Sequence, residues 1–183
     1  MRIRAARAED APALGRVMVE SWLTAHRGQV PDPAWQERAE TWTPDVSARG
    51  WSKVLTDQAA ADRPDDVLLL AEDGQGEVIG LVYGVMSADD ASRATAEIVV
   101  LYVTPARHRE GIGAALLKAV ARELADLGVT GLRLNVLEAN HPAREFYEAT
   151  GGVEAGRTTI EEDGNVLPSV VFEWSDVSAV ASA

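Results

Sequence analysis

Cysteine is absent from the 183 residues. That one absence removes disulfides, thiolate nucleophiles and thiolate-held zinc together. Histidine is scarce. His26, His108 and His141 are scattered, and no H-E-x-x-H pattern brings two of them onto one helix face, so no metal is implied. Cations are the minority charge, with 17 Lys and Arg against 29 Asp and Glu and a formal charge of −12. A general nucleic-acid binder needs the opposite balance to release phosphate counterions, which excludes that class. No apolar run approaches the ~20 residues that a membrane-spanning helix requires. The start, Met1-Arg2-Ile3-Arg4, is not followed by the apolar segment of a signal peptide. The simple reading is a cytoplasmic protein with no membrane partner.

What is present is an ordinary globular composition, 46% hydrophobic and 25% charged. The length suits one domain with its own core, expected over residues 1–174, followed by a flexible tail over 175–183.

Residues 2–6 are expected to form an edge strand. Glu9-Asp10 then opens a helical pattern with Leu14, Val17, Met18 and Trp22 at helical spacing, its acidic entrance suiting the positive end of the helix dipole. The segment 23–66 is punctuated by Pro31, Pro33, Pro44 and Pro64 and by Trp35, Trp42 and Trp51, and reads as short helices near 33–42 and 47–60. Val67–Ala71 and Val78–Met86 are β-rich runs on either side of a turn at Glu72–Glu77. Glu97–Val103 is almost continuously apolar after its first residue and reads as a central strand buried on both faces. An amphipathic helix follows, with Ile112, Leu116, Val120, Leu124 and Leu127 on one face and Gly128 as its stop. Then come a strand at Gly131–Leu137, a short helix at Pro142–Thr150 and a hairpin of 153–161 with 166–174. Strands alternating with helices in this order predict an α/β sandwich on a mixed sheet.

The sharpest local feature is the join between the Glu97–Val103 strand and the helix after it. Thr104-Pro105-Ala106-Arg107-His108-Arg109-Glu110-Gly111-Ile112-Gly113-Ala114 carries a turn, two glycines one residue apart and three basic side chains in an acidic chain. The first N–H groups of a helix lack internal partners, and glycine lets them approach a phosphate closely. An anionic ligand fits here, and so does an ordinary turn. A dinucleotide fingerprint would need a third glycine where Leu116 stands, and a P-loop would need Gly-Lys followed by Ser or Thr.

Glu97–Pro105 followed by Gly111-Ile112-Gly113-Ala114-Ala115-Leu116-Leu117 resembles the acyl-CoA-binding motif of the GNAT superfamily of N-acetyltransferases. Asn140-His141-Pro142-Ala143-Arg144-Glu145-Phe146-Tyr147-Glu148-Ala149-Thr150-Gly151 resembles the later motif of the same family. Ser21-Trp22, Arg27-Gly28 and Pro31-Asp32 are similar to a GNAT subgroup. There are departures. His108 stands at the family's first loop position, Arg109 at its usual glycine, Glu110 at a commonly basic site, and Gly152 where an aromatic usually follows Gly151.

The resemblance implies a mixed, mostly antiparallel sheet with a splayed parallel strand pair and helices on both faces. It implies acetyl-CoA as acyl donor, its pyrophosphate on His108, Arg109, Glu110, Gly111, Ile112, Gly113 and Ala114 and its pantetheine along the backbone of Leu101 and Val103. Tyr147 is the expected general acid for the departing thiolate. Glu97, opening an apolar strand and so partly desolvated, is the candidate base or ammonium anchor, with an exposed strand-end carboxylate as its other reading. Asn140 serves the pantetheine arm or a helix cap, and Arg144 serves the CoA phosphates or the solvated surface. Trp22, His26, Trp42 and Trp51 either line an acceptor pocket or plug the core. The expected activity is acetyl transfer to a primary amine of a small molecule or peptide. A catalytically silent acyl-CoA-binding module and a transferase of other acyl groups are the rival readings. Homodimers are common among such relatives, and the sequence neither shows nor excludes one.

Overall fold

A computed structural model of the chain describes residues 1–60, 66–86 and 95–182; Pro64 and Ala183 lie outside the described residues. Among the described residues, seven strands form one sheet in the order β1-β2-β3-β4-β5-β7-β6. They are β1 (Arg2–Ala5), β2 (Asp66–Glu72), β3 (Val78–Met86), β4 (Thr95–Val103), β5 (Gly131–Leu137), β6 (Val153–Glu162) and β7 (Asn165–Trp174). The neighbours are antiparallel except β4 and β5, which run parallel. The helices are α1 (Ala11–Ala25), α2 (Asp32–Thr41), α3 (Pro44–Ala60), α4 (Ile112–Asp126), α5 (His141–Ala149) and α6 (Val177–Ser182).

Each face of the sheet buries its own apolar cluster. On one face α4 lays Leu116, Val120 and Leu124, all fully buried, against Val82, Ile98 and Phe172. Leu127, expected on that face, is exposed because the helix ends at Asp126 and the chain turns through Gly128. On the other face α1 and α3 pack Leu14, Val17, Trp51 and Leu55 against Leu68, Leu70 and Leu81. A smaller third cluster, Trp22, Val30, Leu137 and Leu167, seats the end of α1 at the edge of the β4–β5 gap.

Two departures from the sequence reading have local causes. β4 is not buried on both faces: Val99 is 48% exposed. Tyr83 pairs with Val100 and Gly84 with Ile98, so Val99 is an extra residue opposite β3, a β-bulge. The bulge reverses the alternation, placing Leu101 and Val103 on the α4 side and Val100 and Tyr102 on the α1 side. The segment expected as a flexible tail contains α6, whose Val177 and Val180 are buried against the α4 cluster. The Val177 N–H donates to the Thr130 carbonyl at 2.8 Å, and Arg122 donates to the Ala181 carbonyl at 3.1 Å.

At the β1 end, Arg4 donates to both oxygens of Asp10, at 2.7 and 2.8 Å, and through Nε to Glu72 at 2.8 Å. Asp10 also accepts the Arg7 N–H at 2.7 Å, so one guanidinium joins β1, β2 and the entrance of α1. Charge-assisted hydrogen bonds to Arg4 hold the Asp10 carboxyl below its ordinary value.

Candidate active site

β4 and β5 pair only through Thr95↔Gly131, Ala96↔Leu132 and Glu97↔Arg133. Beyond residue 97 they diverge, since β5 continues along β7 and β4 along β3. The gap opens into a cavity of about 1030 Å³ lined by residues 98–103 of β4, 134–137 of β5, the loop before α4, α5, and the end of α1 with parts of α2 and β6. The Thr104 N–H donates to the Ile79 carbonyl of β3 at 2.9 Å. Strand alternation therefore turns the backbone of Leu101 and Val103 away from β3, toward the gap. The Val103 carbonyl is already engaged, by Ser21 Oγ at 3.2 Å and His108 Nε2 at 2.9 Å.

At the loop end, Arg109 and Gly111 take left-handed φ values of 67° and 79°. Gly111 caps α4 without a side-chain bond, so the N–H groups of Ile112, Gly113 and Ala114 start the helix uncapped. Ala115, the next residue, donates to the Gly111 carbonyl. The Phe146 ring comes within 3.4 Å of where a Gly113 side chain would begin, so α5 closes against this turn. The three basic residues of the loop have separate fates. Arg107 bridges Asp73 at 3.5 Å and Glu110 at 3.0 Å. His108 bonds the backbone, and Arg109 has neither a carboxylate nor a backbone partner for its side chain among the described residues.

Tyr147 lies on α5 with its ring against Phe146, Phe172 and Trp174, centroids 5.2, 5.8 and 6.0 Å away. It lines the cavity, and desolvation pushes its phenol up to about 12. Gly152 has a concrete packing reason. A side chain there would stand 2.7 Å from Trp174, whose indole donates to the Thr150 carbonyl at 3.0 Å and fills the space behind Tyr147.

The cavity brings together Trp22, His26, Leu101, Val103, His108, Arg109, Gly111, Ile112, Gly113, Ala114, Asn140 and Tyr147. It does not bring in Glu97, Glu110 or Arg144. The Glu97 carboxylate faces Arg133 at 3.4 Å and accepts from Asn135 at 3.2 Å, and it is Asn135 that reaches the cavity. Glu110 is spent on Arg107. Arg144 staples the Glu138 carbonyl to Glu154, both at 3.2 Å, which turns it away from the loop. Asn140 caps α5, accepting the Ala143 N–H at 3.3 Å. Among the tryptophans, Trp42 joins Trp22 in the cavity wall, whereas Trp51 is core, edge-on to Tyr83 at 5.9 Å.

Sequence reasoning missed Tyr102, Gln29 and Arg38, all on the cavity wall. The Arg38 guanidinium lies over Trp22 at 4.6 Å and Trp42 at 5.0 Å and is held by Glu162 at the end of β6 and Asp163 of the turn after it. Tyr102 was hidden in an apolar run. The spacing of Trp22 and His26, one helical turn apart, was the available hint of a wall.

A model of the Acetyltransferase (GNAT) family matches residues 31–152. The chain belongs to the GNAT family of acetyltransferases. It is an N-acetyltransferase of that family, and its sheet, with the parallel β4–β5 pair, is the family's fold. It is 25% identical over 183 residues to the uncharacterized N-acetyltransferase YuaI of Bacillus subtilis strain 168, a match covering 97% of this chain and 95% of that one. Among solved structures it is similar to the PaiA N-acetyltransferase of Thermoplasma acidophilum in complex with coenzyme A, with TM-score 0.68, 22% identity, and 95% and 98% of the two chains covered. It is also similar to YncA of Salmonella typhimurium, solved with its cofactor acetyl-CoA, with TM-score 0.69, 18% identity, and 96% and 93% covered. Among the described residues, no helix is long and apolar enough to cross a membrane.

Proposed function

We propose that this chain moves the acetyl group of acetyl-CoA to a primary amine by direct attack in a ternary complex. One observation carries the reading: the gap between β4 and β5 joins an uncapped helix N-terminus at one end to the Tyr147 phenol within a single cavity. The pyrophosphate takes the N–H groups of Ile112, Gly113 and Ala114, with Arg109 as the free cation beside them. The N–H of Val103 and the backbone of Leu101 are left for the pantetheine arm, because the Val103 carbonyl is spent on Ser21 and His108. The solved relatives described with coenzyme A and acetyl-CoA support this donor.

Tyr147 hydrogen-bonds the sulfur as the C–S bond breaks. Its phenol is a weaker acid than a free thiol of pKa about 8.5. It therefore stays protonated and stabilises the leaving thiolate as a donor. Glu97 fits a positioning role through Asn135 better than that of a base, its carboxylate being matched by Arg133.

The reading is tested by following CoA thiol release from acetyl-CoA in the presence of primary amines and of alcohols with the same carbon skeletons. Release with amines alone is the expected result. Release with alcohols alone, or with no acceptor at all, contradicts it.

A further inference from the structure

The end of the cavity away from the α4 loop is built by aromatic side chains from three elements. Trp22 and His26 come from α1 and the residue after it, stacked at 4.7 Å and 14°. Trp42, just after α2, meets Trp22 edge-on at 5.8 Å, and Tyr102 of β4 meets His26 at 6.4 Å. His26 Nδ1 lies 3.0 Å from the Trp22 carbonyl. A carbonyl only accepts, so Nδ1 carries the hydrogen and the neutral ring presents a lone pair at Nε2. Nε2 has no protein partner among the described residues. Three residues on, Gln29 also lines the cavity, and its Oε1 is buried without a hydrogen-bond partner. Two unspent acceptors thus flank one aromatic pocket, which is the arrangement a primary ammonium needs and an apolar packing cluster does not.

The charges around this pocket are already matched. Arg38 gives its guanidinium to Glu162 and, at 2.8 Å, to Asp163. Among the described residues at this end of the cavity, Arg38 is thus spent on its two carboxylates, and Glu162 and Asp163 are spent on Arg38.

Resting on the acetyl-transfer reading above, we infer that this pocket takes a primary amine borne on an uncharged apolar body, and that His26 Nε2 accepts its proton. The amine arrives as an ammonium. One proton passes to Nε2 and on to solvent, and the freed lone pair forms the C–N bond to the thioester carbon. Collapse breaks the C–S bond, and the second nitrogen proton balances the one the sulfur acquires. The products are the amide, CoA thiol and one proton. Burial, opposed by the Trp22 carbonyl bond and aided by the charge of Arg38, holds the imidazole below the ordinary histidine value, so it is neutral at pH 7. The groups facing it are the Trp22 carbonyl and ring from α1, Arg38 from α2 with Glu162 and Asp163 behind it, and the Tyr102 phenol from β4.

Three acceptors on one six-carbon chain test the substrate class: hexylamine, 6-aminohexanoate and 1,6-diaminohexane. Hexylamine is expected to have a kcat/KM at least ~10-fold above both others, since each of those buries an unmatched charge. His26→Gln is expected to lower kcat with hexylamine by about 10²-fold and to leave acetyl-CoA affinity unchanged, and added imidazole is expected to restore turnover in His26→Ala. The wild-type kcat should fall on an acid limb with a midpoint below about 6.5. That profile and the amine series decide the matter even if the variants fail to fold. A preference for either charged acceptor, or no acid limb with a midpoint below about 6.5, overturns the inference. So does a folded His26→Gln with kcat within about threefold of wild type and no imidazole effect. Acetyl-CoA binding without turnover of hexylamine overturns it while leaving the donor site standing; absence of acetyl-CoA binding removes both.

Discussion

Tyr147→Phe lowers kcat by about 10²-fold or more and leaves the acetyl-CoA dissociation constant within about twofold of wild type. The expectation follows from what the substitution leaves in place. The ring is held by Phe146, Phe172 and Trp174, and all three contacts survive loss of the hydroxyl. The phenol makes no hydrogen bond to another described residue, so no buried partner is orphaned and the fold is spared. What disappears is a donor at the cavity wall that stays protonated at working pH because desolvation has raised it to about 12. Turnover and calorimetry on the same preparation separate the two quantities. A rate within about twofold of wild type would assign Tyr147 to packing alone.

The second large effect lies far from the cavity. Arg4→Met is expected to cost about 3 kcal/mol of folding stability at pH 7, because it strands two carboxylates from which most solvent is excluded. The side chains of Asp10 and Glu72 are only 9% and 15% exposed. The sign of the pH dependence is fixed by Asp10. Its folded-state pKa is depressed, chiefly by the hydrogen bonds from Arg4. The wild-type gain is therefore complete above the unfolded value of about 3.9 and is lost as pH falls through the lower, folded value. In the variant Asp10 takes up a proton more readily, so wild type and variant converge toward pH 3. Urea melts at pH 7 and pH 3 measure this, and an equal difference at both pH values would make the loss one of packing.

The legible parts of this protein were those whose causes are local. α4 announces itself by an apolar face at helical spacing and a glycine stop, the two hairpins by turn residues between β-rich runs, and the loop before α4 by its glycines. Arg109 stands at a position usually glycine, and the structure gives the reason for that usage, since its φ is 67°. The Gly152 departure is explained by Trp174, which occupies the space a larger side chain would need.

The features that sequence reading missed depend on partners remote in the chain. Arg38 meets Asp163 across 125 positions, and Ser21 meets Val103 across 82. Glu97 looked like a base because it opens an apolar strand. Only the β4–β5 register shows that Arg133 lies beside it. The bulge at Val99 is invisible in the composition of β4, yet it decides which side chains face α4 and puts Tyr102 on the side of His26. Trp51 and Trp42 are alike as residues. One became core and the other cavity wall through the placement of α3 and α2, which periodicity does not encode.

The central claim is that the β4–β5 gap and the start of α4 hold acetyl-CoA. Calorimetric titration of acetyl-CoA into the purified protein, beside NADH as a second pyrophosphate ligand, tests it most directly. Saturable binding with a dissociation constant on the order of micromolar for acetyl-CoA, and none for NADH, is the expected result. No saturable heat with acetyl-CoA, or equal binding of NADH, would contradict it.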